Sequence, residues 1–148
     1  MTFTNPLASL RPLIGAVVLV AALPAAASQG DKDYRHHTME AIGGHMQAMF
    51  DILRGKVDHA DQLSVHAAAL ASLAEITPTL FPAGSGGDDT DALPAIWENP
   101  EDFAERLDAF KEAGAGLRTA AETGGDVMAA AQQLGQACKG CHDNYRKK

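Results

Sequence analysis

The chain has 148 residues, 46% of them apolar and only 5% aromatic, and its 12 Lys and Arg stand against 19 Asp and Glu for a net charge of −7. So acidic a chain is not held by nucleic-acid phosphates, and its length suits one ordinary domain with a single core.

Residues 1–28 carry no acidic residue, one Arg at position 11, an apolar run from Leu13 to Leu23, and then Pro24-Ala25-Ala26-Ala27-Ser28. This predicts a cleaved secretory signal. The apolar run is about half of the ~20 residues that a bilayer span needs, and small residues follow where a signal peptidase cuts. Residues 29–148 are then the mature domain, expected in a bacterial periplasm and not inserted in the membrane.

From Lys32 to about Gly55, Met39, Ile42, Met46, Met49 and Leu53 recur in steps of three and four, the seam of a bundle helix. Gly43 and Gly44 interrupt it at about 1 kcal/mol each relative to Ala, as expected if a bulky neighbour presses on that turn. A second helix is predicted from about Asp58, as N-cap, to Thr77, with Leu63, Leu70, Leu73 and Ile76 on its buried side. Ala67, Ala68, Ala69, Ala71 and Ala74 would let another helix approach it closely. After Pro78, the glycines, prolines and acids between Leu80 and Asp91 predict one long crossover, pinned to the core by Phe81 and Trp97. Its acidic run, Asp88 to Asp91, reads as a solvated loop.

Asn99-Pro100-Glu101-Asp102 is a helix start, with an N-cap amide, proline at the first position and two acids on the dipole. The third seam reads Phe103, Leu107, Phe110, Gly114, Leu117 and Ala121, and Thr123-Gly124-Gly125-Asp126 ends it and caps the next helix. The last helix runs towards Arg146 with Val127, Ala131, Leu134, Cys138, Cys141 and Tyr145 on one face. Lys139, Arg146, Lys147 and Lys148 then form a basic end that could serve as a docking rim for a redox partner protein. Together these elements predict an all-α, antiparallel four-helix bundle with a cofactor in its core. Seams so poor in aromatics and rich in Ala and Gly leave the core underfilled, so the apoprotein is expected to be poorly folded.

Cys138-Lys139-Gly140-Cys141-His142 carries the chemistry. Two thiols two residues apart can add across the two vinyl groups of one haem, and the histidine after the second can reach the iron. A bare Cys-x-x-Cys also permits a thiol-disulfide couple or half of a zinc site, but neither a strand pattern nor a second ligand pair accompanies it. Covalent haem c fits an exported chain, and it would consume both thiols.

These residues resemble the cytochrome c-prime family (class II c-type cytochromes, including low-spin Met-ligated relatives) across the whole mature region. The resemblance rests on Tyr34-Arg35-x-x-x-Met39, Leu80-Phe81-Pro82-x-Gly84-Ser85, Pro94-x-Ile96-Trp97 and Cys138-Lys139-Gly140-Cys141-His142-Asp143-x-Tyr145-Arg146. It implies that Cys138 and Cys141 hold the haem, that His142 is the proximal ligand, and that Met39 occupies the distal side as a candidate sixth ligand. It further implies that Arg35 lies on the propionate side and Arg146 beside the proximal pocket, in a periplasmic protein that commonly forms homodimers through its first two helices. Electron transfer with a Met39–iron bond is the expected function. The alternative is a five-coordinate, high-spin haem binding nitric oxide or carbon monoxide, and a thiol-disulfide oxidoreductase is the remote third. No enzymatic activity is expected. The remaining histidines, His36, His37, His45, His59 and His66, read as surface or capping residues, and Met46 and Met49 as packing.

Overall fold

A computed structural model describes residues 29–148, so the expected signal at 1–28 lies outside the described residues. Four long helices form the bundle: α1 (Gln29–Leu53), α2 (Leu63–Ile76), α4 (Pro100–Thr123) and α5 (Val127–Tyr145), with the single-turn α3 (Ala95–Glu98) in the crossover. The expected all-α four-helix architecture is what forms, and each seam explains why its helix lies where it does. In α1 the buried positions are Arg35, Thr38, Ile42, Met46 and Met49, again in steps of three and four. Among the described residues, and apart from the helix's own turn, nothing lies within 4 Å of a methyl built on Gly43 or Gly44, and both are exposed, so the bulky neighbour expected at that turn is not found.

The second helix differs from expectation at both ends. It starts at Leu63, after a 3-10 turn over Ala60–Gln62, because His59 (φ −136°, ψ 42°) leaves the helical region; no side chain caps α2, and Asp58 is not its N-cap. Its buried stripe is Ala67, Leu70, Ala71 and Ala74; Leu63 and Leu73 are half-buried and Ile76 is exposed. The cause is the approach of α4, where a methyl on Gly114 would lie 3.2 Å from Ala74 Cβ and 3.4 Å from Ala71 Cα. Helices this close bury the small side of α2 and turn the larger aliphatics outward. Arg118 of α4 fastens the same pair by donating to the Ala68 carbonyl at 3.2 Å and to Ser72 Oγ at 2.9 Å. The stretch Ala60–Leu80 has a mean hydropathy of 1.2, within reach of a membrane span by composition. With its flanking 3-10 turns the stretch has 21 residues, enough for a span by length as well, but its stripe of Ala67, Leu70, Ala71 and Ala74 is buried in the bundle, as in a core helix.

The crossover is pinned as the sequence implied. Phe81 meets Phe103 edge to face at 4.9 Å, Trp97 Nε1 donates to the Phe81 carbonyl at 3.3 Å, and Gly86 lies beneath the Trp97 ring, where a methyl would come within 3.0 Å. Asn99 precedes α4, but its amide donates back to the Ala95 carbonyl at 3.3 Å and does not cap α4, whose start rests on Pro100 and the acids Glu101 and Asp102. Gly124 takes the left-handed conformation (φ 73°) that closes α4, and the Asp126 carboxylate caps α5 by accepting from the Ala129 N–H at 2.9 Å.

α1 packs along α2, α2 along α4 and α4 along α5, while α1 and α5 meet only lightly. The core is correspondingly in two parts. One contains Ile42, Met46, Met49, Leu70, Phe110, Leu117 and Leu134 from all four long helices; the other contains Ala92, Ile96, Phe103, Leu107 and Tyr145 at the crossover end.

Candidate haem site

α5 presents the two thiols to different parts of this divided core. Cys138 borders the larger cluster together with Met39 and Met46, and Cys141, one turn on, borders the smaller one beside Phe103 and Tyr145. The i, i+3 spacing places both on the inward face, where each is half-buried and neither forms a disulfide. The lightly joined α1–α5 side, with a thiol at the edge of each cluster, fits one flat group anchored at two points.

Burial raises the pKa of both thiols, and Cys141 is pushed up to about 11, with the neighbouring Cys138 adding to the effect. A catalytic thiol-disulfide pair needs the opposite, a thiolate stabilised near neutral pH. The electrostatics of the site thus do not favour the remote oxidoreductase reading, whereas two half-buried thiols on one inward face suit covalent capture of an apolar cofactor edge.

His142 follows on the same turn, and its residue as a whole is exposed. Partial desolvation of its ring, and next the positive charge of Arg146, lower its pKa against the opposing pull of Asp143. Both effects favour the neutral imidazole, the form that can donate a lone pair to a metal. Arg146, one turn further, has its guanidinium 3.4 Å from the Asp91 carboxylate. The rest of the basic C-terminal end is similarly engaged: Lys139 is ion-paired with Asp143, and Lys147 donates to the carbonyls of Gly87 and Asp88 at 3.2 Å. Of the expected docking rim, Lys139 and Arg146 are thus paired with acids of the chain, while Lys147 keeps its charge on carbonyl acceptors.

Met39 is half-buried on α1 and packs against the cluster that Cys138 borders. None of the other five histidines accompanies it. His36 and His37 lie on the outer face of α1, His59 is exposed, and His45 and His66 face each other with their Nδ1 atoms 3.0 Å apart.

Arg35 is only 4% exposed, and its guanidinium is engaged by the crossover. Nη1 donates to the Leu80 carbonyl at 3.0 Å and to Ser85 Oγ at 2.6 Å; Nη2 donates to the Ser85 carbonyl at 2.6 Å and to Thr90 Oγ1 at 3.0 Å. All four terminal N–H groups are thereby spent on the crossover, and the guanidinium also lies 5.2 Å from the Phe81 ring centroid. A propionate contact would have to use the remaining Nε–H or displace one of these bonds.

Sequence reasoning missed a second group next to Cys141. Tyr145 donates to the Asp102 carboxylate, which also pairs with Arg106 at 3.1 Å, and Arg106 Nη1 would lie 3.7 Å from a methyl on Gly140. From the sequence, Asp102 is only a helix-dipole acid, and Tyr145 a seam residue within the family motif. Their link spans 43 positions and leaves no local signal.

Comparison with known proteins gives a consistent picture. The family model described as Cytochrome C′ matches residues 22–146. A cytochrome c′ from Rhodospirillum rubrum is 34% identical over 142 residues, 94% of each chain. A cytochrome c-554 from Cereibacter sphaeroides is 43% identical over 93 residues, a match that spans 60% of this chain and 60% of that protein's length. Among solved structures, a nitric oxide complex of a variant cytochrome c prime from Alcaligenes xylosoxidans superposes with a TM-score of 0.73 at 30% identity, covering 80% of this chain and 94% of the other.

Proposed function

The chain belongs to the cytochrome c-prime family, and on that footing we propose that it is a periplasmic haem protein that binds nitric oxide or carbon monoxide on the side of Met39. Its cofactor is one haem c, covalent through Cys138 and Cys141, which supplies an iron that changes oxidation state by one electron and takes small ligands along its axis. In this reading His142 is the proximal donor, kept neutral by its surroundings, and Arg146 sets the charge beside it. Arg35 acts from further off, holding the crossover against α1.

Met39 carries the reading. It is the candidate donor on the inner face of α1 beside the cluster that Cys138 borders, and the histidines of α1 are turned elsewhere. A thioether is uncharged, soft and mounted on three rotatable bonds, so it can cover an iron face and yield it to a small ligand more easily than an imidazole can. The solved relative that carries nitric oxide favours gas binding over the electron-transfer reading that the sequence placed first. The homodimer implied by the resemblance would use the α1–α2 face, where Val65 and Ile76 are exposed.

Oxidised and reduced absorption spectra of the purified holoprotein, with and without carbon monoxide, test this in the parent and in Met39→Leu. Both ferrous proteins are expected to change spectrum on adding the gas. A parent protein that stays low-spin and indifferent to carbon monoxide, with a ferric Met charge-transfer band lost in Met39→Leu, would return the function to electron transfer.

A further inference from the structure

We propose that His36, His37 and Glu40 form a second metal site, independent of the haem, that takes one divalent transition-metal ion of the zinc and copper class. The three side chains stand on the outer face of α1, all exposed, and their candidate ligand atoms lie within 4.8 Å of one another. The helix itself sets up the convergence. Glu40 follows His36 by four residues and His37 by three, so its carboxylate stands one turn on and between the two imidazoles.

The distances suit an ion. His36 Nε2 is 3.4 Å from Glu40 Oε1, and His37 Nδ1 is 3.5 Å from Glu40 Oε2. A tetrahedral ion with bonds of ~2.0–2.1 Å holds its ligand atoms roughly 3.4 Å apart, so each imidazole already stands at about that distance from one oxygen of the carboxylate, and a turn of the carboxylate would offer a single oxygen to both. The two imidazoles need to close by at most about 1.4 Å, a movement within the rotamer freedom of exposed side chains. Two neutral imidazoles and one carboxylate are a borderline donor set. It prefers copper and zinc to calcium or magnesium, and it leaves coordination positions to water.

Nearby charge assists. Lys32, one turn before His36, is drawn away to Asp89 at 2.7 Å, and Arg35 is buried in the crossover clamp, so neither cation faces the triad. Asp33 adds negative charge on the preceding turn, its Oδ1 accepting from Gln29 at 2.9 Å. The inward residues of the same turns are Arg35, Thr38 and Ile42, which separates this face from the haem side of α1.

The test is a zinc titration of the untagged holoprotein in competition with a chromophoric chelator, on the parent and on His37→Ala, Glu40→Gln and His66→Ala. The parent is expected to take up one zinc per chain, and His66→Ala to match it. His37→Ala and Glu40→Gln should each bind at least about tenfold more weakly, since even loss of a group behind a ligand costs ~10–100-fold. Haem absorption and far-ultraviolet circular dichroism should be unchanged in these surface variants. A parent that takes up no zinc, or triad variants that bind like the parent, would overturn the proposal. So would loss of the site in His66→Ala alone, which would move it to the His45–His66 pair.

Discussion

Replacing Arg35 by Met removes the guanidinium while keeping much of the apolar stem, and the structure fixes what is then left behind. Four hydrogen bonds of 2.6 to 3.0 Å disappear, and the carbonyls of Leu80 and Ser85, at residues that are 2% and 0% exposed, lose their donor. Leaving a buried carbonyl unsatisfied costs roughly 1–3 kcal/mol, so two carbonyls and the stranded hydroxyls set a gross loss of about 2–6 kcal/mol. Part is returned, because the folded state no longer desolvates a cation, a burden visible in the direction of the Arg35 pKa, which burial lowers against the pull of Asp31 and Asp89. The expected net loss is about 3–4 kcal/mol. With a urea m-value of ~1–3 kcal/mol/M, that is a midpoint lower by roughly 2 M, read by circular dichroism on holoprotein. Arg35→Lys, whose ammonium reaches only some of these acceptors, should lose about half as much. An Arg35→Met protein within about 1 kcal/mol of the parent would refute the clamp and return Arg35 to the propionate role implied by the family resemblance.

Two further outcomes follow from packing and protonation. Gly114→Ala places a methyl 3.2 Å from Ala74 Cβ, so the ~1 kcal/mol gained in helix propensity is outweighed by overpacking of about 1–3 kcal/mol; Gly116→Ala, with nothing within 4 Å, should gain the propensity term alone. Thermal melts showing the two substitutions to be equivalent would contradict the close α2–α4 approach. His66 has its pKa lowered from 6.5 by burial and next by His45, so the folded state binds fewer protons than the unfolded one. Its contribution to stability is present above the unfolded value and lost as pH falls through about 6.5 towards the lower folded value. The drop in Tm between pH 7.5 and 5.5 should therefore shrink in His66→Ala, and identical pH slopes would refute the coupling.

What could be read from the sequence was what repeats or stands close together. The seams of α1, α4 and α5 recur every three or four residues, and Phe103, Leu107, Phe110, Gly114 and Leu117 are buried as that period demands. The Cys138 to His142 run is local, so its register on α5 follows from helix geometry alone. In α2 the run of alanines pointed to the close neighbour that is found, but Leu63, Leu73 and Ile76 are not buried as expected, because periodicity ranks residues by hydrophobicity whereas the distance to α4 is set by the smallest side chains. Gly114 decides which face of α2 is buried, and it lies about 40 residues away. The partners of Arg35 and Tyr145 were not legible for a related reason. A buried polar group is defined by its partners, and Ser85, Thr90 and Asp102 become partners only once the crossover has folded back across the bundle.

That dependence joins the crossover to the iron side of the molecule. α1 carries Met39 one turn after Arg35, and Arg35 ties α1 to Leu80, Ser85 and Thr90. The far end of the crossover is tied to the end of α5, where the Leu93 N–H donates to the Tyr145 carbonyl at 3.0 Å and the Lys147 N–H to the Asp91 carbonyl at 2.8 Å. α1 and α5 scarcely touch each other directly, so beside the packing of the bundle through α2 and α4 this strap of bonds is a second tie between the helix that carries Met39 and the helix that carries the Cys138–His142 run. The tie runs through the part of the chain with no periodicity, and at its α1 end it rests on a cation whose cost of burial is offset only while the strap is in place.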